Sequence, residues 1–227
     1  MNNLLNKFLN NKINLKNKTN FALIIGLTPS KGARSPTLWN NAYKFFGKKT
    51  RMYSADMSEK KLKKLCEHLK SNKYFLGSSV TVPYKETIMK YLDNIETNAK
   101  SIGSINTIIN KKGKLLGLNT DYYGSFYTLK KTKIQKSKKN ILILGCGGAG
   151  KACIVSVIKY FKNSKIQIFN RNKIKLKNFM KKVKLSNNNS IKSFSNISYL
   201  KKINKLDLII NCTSIGFDGW VKNNGYY

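Results

Sequence analysis

The sequence is poor in the residues that most catalytic and metal sites need. It holds one histidine, His68, and 9 acidic residues among 227. A single His removes most Ser-His-Asp and Cys-His hydrolase schemes, which need an imidazole beside the nucleophile. The four cysteines (Cys66, Cys146, Cys153, Cys212) stand far apart with no CxxC pair. With one His, that excludes zinc ribbons, zinc fingers and a disulfide scaffold, so no metal is expected and reduced, cytoplasmic thiols are the default. No apolar run approaches the roughly 18–20 residues that a membrane span needs. Residues 1–20 lack the continuous apolar core and small-residue cleavage site of a signal peptide.

Lysine, by contrast, is in excess. Of the 44 basic residues 41 are Lys, and the net charge is +35. Such a charge suits nucleic acid or an anionic membrane, because Lys neutralises phosphates and releases counterions. Base and phosphate recognition, however, favours the planar donors of Arg, and only Arg34, Arg51 and Arg171 are present. The Lys are spread through every segment and share A/T-rich codons with the equally abundant Asn and Ile. A compositional origin is therefore the expectation, with no nucleic-acid or membrane partner. The 41% hydrophobic content is enough to bury a core.

Hydrophobic patterning predicts an α/β chain. Residues 1–20 read as a short amphipathic helix or a frayed tail, a leader to the rest. FALIIG (21–26), TRMYSAD (50–56) and FLGSSVTV (75–82) read as strands. SPTLWNNAYKFFG (35–47) reads as a helix with Ser35 at the cap and Leu38, Ala42 and Phe45 turned inward. A second helix, capped by Ser58, places Leu62, Leu65 and Leu69 inward, and a third is expected after Pro83. Residues 104–109 and 114–118 flank KKG as a hairpin, and a helix starts near Asp121. KKTKIQKSKKN (130–140) has no apolar periodicity and is the linker candidate. Beyond it come ILILG (141–145), a helix from Gly148, KIQIFN (165–170), a Lys-rich helix and KLDLIIN (205–211). Strands alternating with helices predict mostly parallel sheets. The expected division is a leader, 1–20, and two α/β domains, 21–130 and 131–227.

The clearest local signal is Gly145-Cys-Gly147-Gly148-Ala149-Gly150, which follows an apolar strand and opens a helix. Gly145 permits the tight turn, Gly147 lets the backbone approach a pyrophosphate, and Gly150 lets helix and strand pack closely. After the next strand, where NAD binders carry an acid for the ribose hydroxyls, this chain has Asn170-Arg171-Asn172, with Lys175 just beyond. A cation in that place favours the 2′-phosphate of NADP.

Other polar residues follow apolar strands: Thr81 and Lys85 in SVTVPYKE, Asn106 in SINT, and Asn119 and Asp121 in LNTDYYG. Singly, each also fits a helix cap or the general Lys excess. Together, SVTVPYKE, SIGSINTI, GLNTDYYG, GCGGAGKA, NRN and NCTSIGF stand in the order and spacing of the shikimate dehydrogenase family, which the chain resembles from Phe21 to about Phe217. The resemblance implies a substrate domain, a Rossmann-type NADP domain and an active site in the cleft between them. It implies interconversion of 3-dehydroshikimate and shikimate, a step of chorismate and aromatic amino acid biosynthesis. By matching position it makes Lys85 the catalytic lysine and Asp121 its partner, with Thr81 and Asn106 on the ring hydroxyls. Asn211, Thr213 and Ser214 match the cofactor-domain end of the cleft. A homodimer is the assembly to test.

Two departures stand out. Where the family carries Ser-x-Ser-Pro to grip the substrate carboxylate, this chain reads Ala33-Arg34-Ser35-Pro36. Ser35 keeps the second hydroxyl, and Arg34 or Ser30 is expected to replace the first, a guanidinium bidentately. A different cyclic acid, such as quinate or aminoshikimate, is the enzyme alternative; a catalytically silent nucleotide-binding remnant is the other. Secondly, no further family pattern is recognisable after Gly219, so the expectation is an incomplete Rossmann-type domain with reduced stability and activity.

Overall fold

A computed structural model describes residues 2–183, 188–213 and 215. The chain forms two compact units, Met1–Thr120 and Asp121–Tyr227.

The first unit is built on a six-stranded sheet: β1 (Phe21–Gly26), β2 (Arg51–Asp56), β3 (Phe75–Val80), β4 (Asn94–Ile95), β5 (Thr107–Lys111) and β6 (Lys114–Leu118), in the order β2-β1-β3-β5-β6-β4. β1 lies parallel to β2 and β3, while β5 runs antiparallel to β3 and β6. Every residue of β1 is buried, as expected of an apolar strand with neighbours on both edges. The β5–β6 hairpin turns on Lys112 and Gly113, both at positive φ, and Asn110 Oδ1 accepts the Gly113 N–H.

Helices α2 (Ser35–Phe45) and α3 (Leu62–Ser71) follow β1 and β2, and α4 (Thr97–Ile102) precedes β5. Leu62, Leu65 and Leu69 are fully buried, as their spacing predicts. For α2 the expectation fails: Leu38 is 70% and Phe45 84% exposed, and the helix buries no residue. Periodicity shows which residues share a face, not what covers it. What ties α2 to β2 is polar, since Asn40 accepts the Met52 N–H and donates to the Met52 carbonyl. The helix begins one residue earlier than expected, with Arg34 rather than Ser35 at the cap position. After Pro83 the chain forms a 3-10 turn, Thr87–Tyr91, where an α-helix was expected.

Of the two expectations for the first twenty residues, the helix is what forms: α1 covers Asn2–Asn6. Leu5, Leu9, Ile13 and Leu15 join the same core as Phe21, Leu23, Leu62 and Phe75.

α5 (Thr120–Lys131) starts on the last residue of the first unit and leads into the second, which holds β7 (Asn140–Leu144), α6 (Gly148–Tyr160), β8 (Lys165–Phe169), α7 (Lys173–Met180), β9 (Ser190–Phe194) and β10 (Leu208–Asn211). Its sheet is wholly parallel in the order β10-β7-β8-β9, the doubly wound pattern whose ligands lie beyond the strand carboxyl ends. α6 is buried from Gly150 to Ile158, which fits a helix apolar on nearly all sides. β9 carries Ser-Ile-Lys-Ser-Phe and is largely exposed, so its sequence lacks the apolar run that marks the other strands. Among the described residues β10 pairs on one side only, with β7, and Ile209 is 58% exposed. Among the described residues no helix is long and apolar enough to cross a membrane.

Candidate functional site

In the first unit, chemistry-bearing residues gather at the carboxyl ends of β1, β2 and β3. Thr81 follows β3 and is held by its N–H to the Ile25 carbonyl at 2.9 Å. Gly26 lies so close that a Cβ there would strike the Thr81 methyl, which is why β1 ends on glycine. Val82–Pro83 is a cis peptide. Tyr84 is buried and its hydroxyl donates to the Met57 carbonyl at 2.7 Å. Lys85 follows, half-buried, its carbonyl accepting the Ile105 N–H at 2.9 Å. An immobile tyrosine on one side and a backbone bond on its own carbonyl fix where the Lys85 stem starts.

Asn106 joins this region through its backbone, its carbonyl accepting the Val80 N–H at 2.7 Å. Its side-chain oxygen accepts from Thr120 N, Thr120 Oγ1 and Thr107 Oγ1 at 2.9–3.0 Å. That oxygen thus caps the start of α5 from fourteen residues away, and a substrate hydroxyl would have to be held through the Nδ2 donors. Asn119 is buried and donates to the Ser104 carbonyl at 2.8 Å, a structural duty. Asp121 sits half-buried in the first turn of α5, where a carboxylate is favoured by the helix dipole.

The loop after β1 separates the two expected carboxylate ligands. Ser30 donates its N–H to Asp56 at 2.8 Å and its hydroxyl to the same carboxylate, so Ser30 is committed within the protein. Arg34 is exposed and forms no ion pair among the described residues. The hydroxyls of Ser35 and Thr81 likewise make no hydrogen bond among the described residues. Asp56, buried at the end of β2, was missed by the sequence reading; a lone acid at the carboxyl end of a parallel strand was the available signal.

In the second unit the glycines of the turn divide by cause. Gly145 has φ 98°, and a Cβ there would lie 3.0 Å from Cys212 O and Thr213 Cγ2. At Gly150 a Cβ would strike the Gly145 carbonyl oxygen. Protein packing therefore requires both. At Gly147, with φ −77°, a Cβ would meet nothing within 4 Å. Neither backbone strain nor packing explains glycine there, whereas a phosphate lying against the backbone does. Gly148, Ala149 and Gly150 form the first turn of α6, whose amide N–H groups lack helical acceptors. This turn fits a dinucleotide.

Asn170 braces it: its Oδ1 accepts the Cys146 N–H at 3.0 Å and its Nδ2 donates to the Asn172 carbonyl. Both ends of the amide serve the backbone, so Asn170 acts on a bound nucleotide through the turn it supports. Arg171 is exposed after β8, and Lys175 is exposed on α7, its N–H donating to the Asn172 cap at 2.8 Å. No carboxylate occupies residues 170–175. Thr213 donates its hydroxyl to Asn211 Oδ1 at 2.6 Å and lies against Gly145. Ser214 and the region after Gly219 lie outside the described residues.

Beside this turn the Cys212 thiol is pushed up by its hydrogen bond to Cys153 and then by burial, and stays protonated. Burial pushes Cys66 up to about 12. His68 packs on Phe8 with ring centroids 5.6 Å apart, and burial lowers its pKa. Among the described residues no His/Cys/Asp/Glu group could hold a metal ion.

Comparison with known proteins agrees with both halves. Residues 24–108 match the family described as shikimate dehydrogenase substrate binding domain, and residues 128–216 match shikimate / quinate 5-dehydrogenase. The NADP(+) shikimate dehydrogenase of Clostridium botulinum Loch Maree is 37% identical over 191 residues, covering 81% of this chain and 67% of that one. That of Aquifex aeolicus is 35% identical over 193 residues, covering 85% and 67%. A crystal structure of shikimate dehydrogenase in complex with NADP+ superposes with a TM-score of 0.73 at 31% identity, over 89% of this chain and 69% of that one.

Proposed function

The chain belongs to the shikimate dehydrogenase family, and we propose that it interconverts 3-dehydroshikimate and shikimate with NADP, in the synthesis of chorismate and the aromatic amino acids. The observation that carries this reading is that one chain holds both a substrate-binding segment, 24–108, and a dehydrogenase segment, 128–216. Residues 21–130 would bind the acid and 131–227 the dinucleotide.

NADPH, when bound, supplies the hydride. Gly145, Gly147 and the first-turn amides of Gly148, Ala149 and Gly150 would hold its pyrophosphate. Arg171 and Lys175 would hold the 2′-phosphate, Asn170 the turn itself, and Thr213 the edge beside Gly145. The choice of NADP over NAD is supported by Arg171 standing where a carboxylate would repel a phosphate.

Lys85 has the proton to give. As the carbonyl oxygen of 3-dehydroshikimate becomes an alkoxide, the ammonium protonates it; in the oxidative direction the neutral amine takes the hydroxyl proton back. Asp121 is assigned as the carboxylate that orients the ammonium. Thr81 and Asn106 are assigned to ring hydroxyls, and Ser35 with Arg34 to the acid's carboxylate.

A second reading, the same reaction on quinate or aminoshikimate, is favoured by Ala33, which lacks the hydroxyl expected there. Incubating the protein with NADP+ and each of the three acids, and following NADPH absorbance, separates the readings. Turnover fastest with shikimate is expected; preference for another acid selects the second reading, and NADPH binding without turnover identifies a silent remnant. The cytoplasm is the compartment this reaction calls for. A homodimer belongs to the same proposal, and a sedimenting species of 25.9 kDa alone would remove it.

A further inference from the structure

Asp56 is a buried carboxylate that the reaction above does not use. It is 7% exposed, and no Lys or Arg forms an ion pair with it among the described residues. Burying a charge without a countercharge is costly unless hydrogen bonds replace the lost water. Here they come from one residue. Ser30 gives Asp56 both its backbone N–H, at 2.8 Å to Oδ1, and its hydroxyl, to Oδ2. Bonds to a charged acceptor are about twice as strong as neutral ones.

The backbone of Asp56 is fixed in turn by the N-terminal stretch. Its N–H donates to Asn11 Oδ1 at 2.9 Å, its carbonyl accepts the Asn10 N–H at 2.7 Å, and Asn11 Nδ2 donates to the Ser54 carbonyl at 2.9 Å. These bonds occupy the outer edge of β2, the edge strand of its sheet. Leu5, Leu9, Ile13 and Leu15 anchor that stretch in the core. A continuous set of contacts thus runs from the first fifteen residues through Asp56 to Ser30, in the middle of the short turn Pro29–Lys31. Four and five residues after Ser30 come Arg34, the cap of α2, and Ser35, its first residue.

We propose that Asp56 is a positioning residue that acts through Ser30 to hold the 28–34 loop, so that Arg34 and Ser35 together receive the carboxylate of the cyclic acid. Ser30 is then not a substrate ligand; its donors belong to Asp56. The loop has a reason to need such a brace. It contains Gly32 at φ 151°, and the α2 cap makes no side-chain hydrogen bond. Within the loop the bonds are local backbone ones, Lys31 N–H to the Thr28 carbonyl at 3.1 Å and Ala33 N–H to the Pro29 carbonyl at 3.0 Å, and Asp56 ties that turn to β2. This inference rests on the dehydrogenase reading for the identity of the ligand, but the brace can be measured without turnover.

The experiment is a double-mutant cycle on the full chain with Asp56→Ala, Ser30→Ala and the pair, read as KM for shikimate, KM for NADP+ and kcat. Asp56→Ala should raise KM for shikimate about tenfold, leaving KM for NADP+ and kcat within about twofold. Ser30→Ala should raise it about threefold alone and add nothing in the Asp56→Ala background. Asp56→Asn should fall between, because its amide oxygen still accepts the Ser30 N–H. Amide hydrogen exchange, measured without substrate, should quicken in the peptide covering 27–35 in Asp56→Ala and in the milder Asp56→Asn. If Ser30→Ala raises KM equally in both backgrounds, Ser30 touches the substrate and the proposal is overturned. Unchanged exchange at 27–35 overturns it as well. Should the unmodified protein oxidise no cyclic acid, the dehydrogenase reading fails, and the exchange result alone decides whether Asp56 braces the loop.

Discussion

Replacing Gly147 and Gly150 in turn by alanine separates a glycine kept for a ligand from one kept for packing. At Gly150 the added methyl meets the Gly145 carbonyl oxygen, a backbone atom that cannot rotate away. Helix α6 must move off β7, and such overpacking costs about 1–3 kcal/mol. For a unit of roughly 100 residues that is a fall in Tm of about 4–8 °C per kcal/mol. At Gly147 the methyl meets nothing within 4 Å and φ is −77°, so neither clash nor strain arises. The remaining cost is a poorer N-cap, about 0.5–1 kcal/mol. Binding should respond in the opposite order. A methyl between the turn and a pyrophosphate forfeits at least one hydrogen bond to a charged oxygen, worth about 1.5–3 kcal/mol, or roughly 10- to 150-fold in Kd. Thermal unfolding together with NADPH fluorescence titration reads both quantities. Gly147→Ala should keep most of its stability and lose affinity. If it binds NADPH as the parent does, the turn is not a phosphate cradle and the cofactor assignment fails.

Lys85→Met should lower kcat by about 10²–10⁴ through loss of the proton donor while leaving the NADPH Kd within about twofold; steady-state rates beside the same titration check it. Arg171→Asp should shift the ratio of kcat/KM for NADP+ over NAD+ toward NAD+ by at least about tenfold, since a repulsive carboxylate replaces a phosphate partner. Cys66 titrates at about 12 in the fold because burial disfavours its thiolate, against an ordinary value of 9.0. Below pH 9 the folded and unfolded chains are both protonated there. Above it the unfolded chain loses the proton first, so stability falls by about 1.4 kcal/mol per pH unit until the folded thiol titrates. Urea unfolding between pH 8.5 and 10 should show that slope in the parent relative to Cys66→Ala; equal slopes would refute it.

Much of this protein was legible before any fold was known. Apolar runs gave away β1, β7 and β8, and Leu62, Leu65 and Leu69 marked the buried face of α3, because burial imposes a period that composition must satisfy. The glycine turn was readable because backbone approach admits one residue type, and Arg171 because it stands where a carboxylate is the usual choice. The exposed face of α2 was not readable, since a helix period says nothing of whether a neighbour exists. Nor was β9, whose residues are mostly polar and exposed on an edge.

Sequence alone thus determined the alternation of elements, the phosphate turn and the identity of Lys85 and Asp121 as the residues to assign. Only the tertiary structure decided that Ser30 belongs to Asp56, that Asn106 caps α5 with its oxygen, and that a Cβ at Gly147, unlike one at Gly145 or Gly150, would meet nothing within 4 Å. Those are facts of pairing between residues fourteen or more apart, or of space left empty, and neither is written in local order. Pattern reports what a residue can do; packing settles with which partner it does it.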